Sequence, residues 1–292
     1  MLPPELIKKI KKIHIRSGRM VNTMMAGQYR SVFRGSGIEF EEVREYSPGD
    51  EVKSIDWKVS ARMGRPFIKR YREERERIVM LLVDMSGSGG FGTTDALKKE
   101  TAVETAAILA FNAIRNNDKV GVILFTDQVE KYIPPQKGAS HVWRVIKEMY
   151  TFEPVRKKTD IGSAIRYLGQ VCRKRVLSFL ISDYLAENYV APLKIAARKH
   201  QVIGVLISDP GDFELPRGGL LWLEDLETGD HLFLDAWDNR TRKLFSEKKR
   251  ADYDQTLGNL KAADIKCCQI STADSVPDVL IKFFRQLEKA KR

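Results

Sequence analysis

Five oxygen-bearing side chains stand where they could hold a cation. Asp84-Met85-Ser86-Gly87-Ser88 offers one carboxylate and two hydroxyls within five residues, and Thr159 and Asp183 add a hydroxyl and a second carboxylate. An all-oxygen set suits a hard divalent cation, Mg2+ or Mn2+. Mg2+ takes six oxygens in near-octahedral geometry and commonly keeps several waters. Neutral hydroxyls coordinate without cancelling the ion's charge, so such an ion seeks one more carboxylate from outside. Each residue also has a plainer explanation. Asp or Ser after a strand often caps the next helix, Thr159 with Asp160 suits an N-cap, and Asp183 alone suits a capping or solvated carboxylate. What favours a metal is their joint placement.

That placement follows from the surrounding pattern. Residues 78–83 form an apolar run that ends at Asp84, and residues 175–182 form another that ends at Asp183. Thr159 lies just before a helical stretch, 161–173. In an open α/β sheet, ligands bind outside the carboxyl ends of the strands, so three loops can converge at one sheet edge. From residue 78 onward the rhythm alternates. Strands are expected at 78–83, 119–125, 128–133, 175–182, 201–208 and 265–271. Helices are expected at 95–115, 140–149, 161–173, 187–199, 239–263 and 276–289. Such alternation predicts an α/β fold, a doubly wound and mostly parallel sheet with helices on both faces. Strands buried on both faces should be continuously apolar, as these are. Thr228-Gly229-Asp230 lies between two apolar stretches and predicts a hairpin insertion near 212–237.

The N-terminal part reads differently. Residues 3–15 carry Leu6, Ile7, Ile10 and Ile13 at helical spacing, a short amphipathic helix. Residues 38–46 alternate as a half-exposed strand does. Ser47-Pro48-Gly49-Asp50 is a turn, since proline presets φ and glycine tolerates positive φ. Residues 66–71 form a second strand. The expected organisation is therefore an N-terminal helix and β-rich segment over 1–75, then the α/β domain over 76–292. Arg30, Glu39, Arg44, Asp50, Asp56 and Arg62 fit either an internal ion-pair network or a partner surface.

Composition narrows the classes. With 292 residues, 43% of them hydrophobic, one large domain plus an extension is expected. No apolar run approaches the roughly 20 residues that span a bilayer, and the lysines at 8–12 precede no apolar signal-peptide core. Cys172, Cys267 and Cys268 give neither a disulfide framework nor zinc-ligand spacing. A cytoplasmic protein is expected. The net charge of +11 favours anionic partners in general. Its basic clusters lack the interleaved aromatics of a single-strand groove.

Two resemblances sharpen this. Asp84-x-Ser86-x-Ser88, Thr159 and Asp183 resemble the metal-ion-dependent adhesion site (MIDAS) of von Willebrand factor A domains, over roughly residues 76–210. Lys157-Lys158 precede Thr159 where that family often has glycines, and Gly89 follows Ser88 where a larger residue is common. Separately, Gly27-Gln28-Tyr29-Arg30-Ser31, Gly35-Ser36-Gly37-Ile38-Glu39-Phe40, Arg44-Glu45-Tyr46, Gly49-Asp50 and Ile55-Asp56-Trp57-Lys58 resemble the DUF58 family pattern, over about residues 25–75. That resemblance implies a bacterial or archaeal protein whose genes often neighbour MoxR-type AAA+ ATPases. Many relatives carry N-terminal membrane helices.

The function expected is a non-enzymatic, metal-dependent protein-binding module, an adaptor or chaperone-like partner of a MoxR-type AAA+ ATPase or its client. Lys157, Lys158, Arg30 and Arg44 are candidate partner contacts. Two alternatives stay open. A metal-dependent phosphoesterase could use Asp84, though no second acid follows at residue 86, no Gly-x-Ser-x-Gly surrounds Ser86 or Ser88, and no P-loop occurs. A binder of nucleic acid or anionic surfaces could use the positive charge, with steep salt dependence.

Overall fold

A computed structural model describes residues 38–73 and 77–290. The expected amphipathic helix at 3–15, the first signature residues and Arg30 lie outside them. Strand β1, Ile38–Glu45, pairs antiparallel with β2, Phe67–Glu73, with a register shift between Phe40 and Glu42. Between them lies an element the sequence pattern did not suggest: helix α1, Trp57–Met63. Its seven residues are too few for a periodic signal, but its ends are marked. The Asp56 carboxylate accepts from the amides of Lys58 and Val59, and Gly64 stops the helix at φ 67°, as a left-handed glycine C-cap does. Trp57 is 69% exposed, so the tryptophan is not an anchor for this segment. Ion pairs Arg44–Asp50, Lys69–Asp56 and Arg65–Glu45 all join residues within the segment itself.

The chain then builds its main sheet from β3 Ile78–Asp84, β4 Lys119–Phe125, β5 Val129–Gln136, β6 Leu177–Ser182 and β7 Gln201–Ser208. The hairpin β8 Leu220–Glu224 and β9 His231–Asp235 stands apart as a two-stranded sheet, and β10 Lys266–Ser271 returns to the main one. The order is β10-β7-β6-β3-β4-β5, parallel throughout except for β5. The strand order reverses between β3 and β6, which makes that gap the topological switch point of a doubly wound sheet.

Alternation along β3 shows why the strands are apolar throughout. Val79, Leu81 and Val83 enter one core, while Met80 and Leu82 enter the other. The first core is closed by helices α2 Lys98–Arg115, α3 Ala139–Tyr150 and α7 Val276–Lys289. The second is closed by α4 Ile161–Val171, α5 Val190–Lys199 and α6 Asn239–Ala262. The α/β architecture is thus as the sequence predicts, with adjustments at element ends. Strand β5 runs on through Pro134 and Pro135 to Gln136, which an edge strand tolerates because proline's missing N–H can face outward. Helix α5 starts at Val190 and not at 187, because Asn188 takes φ 58°, a left-handed conformation that a helix cannot contain.

Candidate metal centre

Asp84 is the last residue of β3 and Asp183 follows β6 directly, so the two carboxylates flank the switch point. Asp84 is 8% exposed. Its Oδ1 accepts from the Ser86 amide at 3.0 Å and its Oδ2 from the Ser182 hydroxyl at 2.6 Å. Ser182 Oγ in turn accepts from the Tyr184 amide at 2.9 Å. The turn after β3 places Ser86 Oγ and Ser88 Oγ 3.1 Å apart. It is tied to the loop before α4 by the Gly87 amide, which donates to the Lys157 carbonyl at 2.8 Å. Asp160, not Thr159, caps α4, accepting from the Ser163 amide at 3.0 Å.

Asp84, Ser86, Ser88 and Asp183, together with Ser182 and Lys98, border a cavity of about 20 Å³, room for one water-sized particle. Thr159 is held beside this group and not in its lining. Its hydroxyl donates to Glu227 Oε1 at 2.7 Å. Glu227 lies in the β8–β9 hairpin loop, whose Leu226 carbonyl would be only 2.2 Å from a Cβ at position 87. Residue 87 must therefore be glycine for the loop to sit there. Lys157 and Lys158 are exposed. Arg44 is engaged with Asp50 at 2.6 Å.

The electrostatics are lopsided. Burial, then the nearby Asp183, pushes the Asp84 carboxyl up to about 7, against the hydrogen bonds from Ser182 and Ser86. Among the described residues no basic side chain pairs with Asp84. Asp183 is different: its Oδ2 lies 3.4 Å from Lys98 Nζ, which also pairs with Asp212 at 2.8 Å. Lys98 is buried yet held above the ordinary lysine range, because Asp183 and Asp212 outweigh its desolvation. These donors suit a small hard cation: hydroxyls, carboxylates and room for water, with an uncompensated buried carboxylate at the centre. Among the described residues, no three His, Cys, Asp or Glu side chains gather as a metal cluster, so an ion here would lean on hydroxyls and water. Asp183 shares its charge with Lys98 and is better placed to act through water.

Sequence reasoning missed Lys98, Ser182 and Glu227. Lys98 stood in view, four residues before Ala102 on the buried stripe of its helix, where a lysine needs partners. Ser182 is the residue before Asp183 but was taken only as the end of a strand. Glu227 is 68 residues beyond Thr159, and only the fold brings it back.

The order of strands, with the candidate site at the switch point, defines a doubly wound α/β protein of the Rossmann type. The chain belongs to the family described as "Protein of unknown function DUF58", whose model matches residues 42–255. It is 30% identical over 229 residues to the uncharacterized protein Rv1480 of Mycobacterium tuberculosis, covering 77% of this chain and 72% of that one. Similar solved structures include BatB from Bacteroides thetaiotaomicron, at 16% identity and TM-score 0.48, covering 73% of this chain and 99% of that chain. The SpRpn10 VWA domain is similar at 14% identity and TM-score 0.42, covering 70% and 93%.

Proposed function

We propose that this protein is a metal-dependent protein-binding module. A divalent cation, Mg2+ or Mn2+, is held at the switch point by Asp84, Ser86, Ser88, Thr159 and Asp183, and a carboxylate from a protein partner completes it. The observation that carries this is Asp84: a buried carboxylate with two hydrogen-bond donors and, among the described residues, no paired cation, beside two hydroxyls and a small cavity. A +2 ion would supply the charge that its surroundings lack. The partner we assign, on the DUF58 resemblance, is a MoxR-type AAA+ ATPase or its client. Exposed Lys157 and Lys158 would steer an acidic surface toward the site. We take 1–75 as the N-terminal unit and 76–292 as the binding domain. Among the described residues no helix is long and apolar enough to cross a membrane. A reducing, cytoplasmic setting is in keeping with three free thiols.

The test is thermal unfolding with and without Mg2+. At a hundred times its dissociation constant, an ion that binds only the folded chain stabilises it by about 2.7 kcal/mol. Mg2+ or Mn2+ should raise the melting temperature of the natural chain and leave that of Asp84→Ala unchanged. Equal responses in the two proteins would rule out this site.

A further inference from the structure

The hairpin loop that covers the candidate site is built to hold one carboxylate there. The Asp225 side chain accepts from the Glu227 and Thr228 amides at 2.8 and 3.1 Å, and the Gly229 amide closes onto the Asp225 carbonyl at 2.7 Å. Gly229 takes φ 76° to make the turn. Thr228 Oγ1 donates to Asp230 at 2.8 Å, so the other acid near the tip is occupied locally. Glu227 alone points inward. It takes the Thr159 hydroxyl at 2.7 Å. Among the described residues no basic side chain pairs with it. Seating it requires the Leu226 carbonyl to pass over residue 87, where any side chain would collide.

We propose that Glu227 serves the cation site from within the chain, through the Thr159 hydroxyl it holds, so that the β8–β9 hairpin is a tethered ligand of the site and an acidic partner segment binds by displacing it. This rests on the cation reading above and adds a residue and a partner chemistry to it. A hydroxyl can offer an oxygen lone pair to a cation while its O–H donates to a carboxylate. Glu227 holds the Thr159 proton on the hairpin side, which leaves that hydroxyl's lone pairs for an ion. Glu227 reaches the site through Thr159 and does not gather with Asp84 and Asp183 into one carboxylate cluster, so its part is to hold a ligand hydroxyl. Displacement is feasible because a two-stranded hairpin is only marginally stable by itself, and this one leaves Trp222 and Phe233 64% exposed.

Mn2+ binding by calorimetry tests it, with Mn2+ alone as the probe and the full chain in four forms: natural, Glu227→Gln, Glu224→Gln and Asp84→Ala. Glutamine keeps an oxygen that can accept from Thr159, and melting in EDTA checks that each variant folds. The expected result is a dissociation constant about tenfold weaker in Glu227→Gln, the scale of a lost supporting group at a metal, with Glu224→Gln as the natural chain. Equal affinity in Glu227→Gln and the natural chain would overturn the tethered ligand while leaving the cation site intact. No Mn2+ uptake by the folded natural chain would remove the cation reading itself, and this inference with it.

Discussion

Two carboxylates end neighbouring parts of the same sheet and have opposite surroundings. Asp209 follows β7 and is fully buried. Its oxygens accept from the Thr93 amide at 3.0 Å, the Thr93 hydroxyl at 2.5 Å, the Gly211 amide at 2.8 Å and the Thr272 hydroxyl at 2.5 Å. Burial works against its charge, but the Thr272 and Thr93 hydroxyls and the two amides outweigh it and hold the carboxyl below the usual range. Asp84 ends β3 with two donors and with Asp183 close by, and burial pushes it up to about 7. The same side chain at the same sheet edge is thus a filled structural staple in one place and an underfilled ligand in the other. The contrast teaches that burial alone does not mark a functional carboxylate. The acceptor capacity left over for something else does.

The sharpest way to break this comparison is to make one substitution at both positions. Asn has the shape of Asp with one acceptor oxygen replaced by a donor. Asp209→Asn forces an NH2 group among four donors and removes charge-assisted hydrogen bonds worth about 1.5–3 kcal/mol each. A loss of about 3 kcal/mol in urea unfolding is expected, and the response to Mg2+ should survive. Asp84→Asn in EDTA at pH 8 should instead gain about 1–3 kcal/mol, since it removes a buried, like-charge-crowded carboxylate. The same variant should lose the Mg2+ response. Losses of similar size at both positions would show Asp84 to be a second staple and end the contrast.

The sequence showed half of this contrast. Asp84 was legible because an apolar run ends on it and two hydroxyls follow at alternate positions. Asp183 was legible for the first reason alone. The sheet itself was legible because strands buried on two faces leave no polar positions, and residues 78–84 contain none before Asp84. What stayed hidden was how each carboxylate is satisfied. Two of the residues that donate to Asp209, Thr93 and Thr272, are 116 and 63 residues away, and the Asp84 donor Ser182 is 98 residues away. Such distances carry no spacing signal. Helix α1 escaped for the opposite reason, being too short to show a period. Trp57 is exposed to solvent, so an aromatic in a loop-rich segment is not evidence of burial.

A smaller effect sharpens the Asp84 side. Ser182 donates to Asp84 and accepts from the Tyr184 amide, so it positions the carboxylate and also holds the turn after β6. Ser182→Ala removes one of two donors and leaves the Tyr184 amide without that acceptor. The expected stability loss in EDTA is about 1 kcal/mol. The expected weakening of Mn2+ affinity is larger in proportion, about tenfold. If Ser182 served the turn alone, the stability loss would appear and the Mn2+ affinity would stay.

The smallest expected effect gives the scale its low end. Asp50 is a third carboxylate, paired with Arg44 at 2.6 Å, with the arginine side chain 37% exposed. Its other oxygen accepts from the Ser47 amide at 2.9 Å. Arg44 also donates to the Glu45 carbonyl at 3.1 Å, so its guanidinium is committed within its own turn and not held out toward a partner. A pair this open to water is screened by salt and contributes little, about 0–1 kcal/mol. Arg44→Ala should therefore lower stability by less than about 1 kcal/mol in urea unfolding, with a smaller loss still in high salt. Its Mg2+ response should equal that of the natural chain. A loss as large as that of Asp209→Asn would mean that surface exposure is the wrong guide to what these carboxylates contribute. Unchanged stability with weaker capture of the proposed protein partner would instead return Arg44 to the partner surface, with its pairing to Asp50 a resting arrangement.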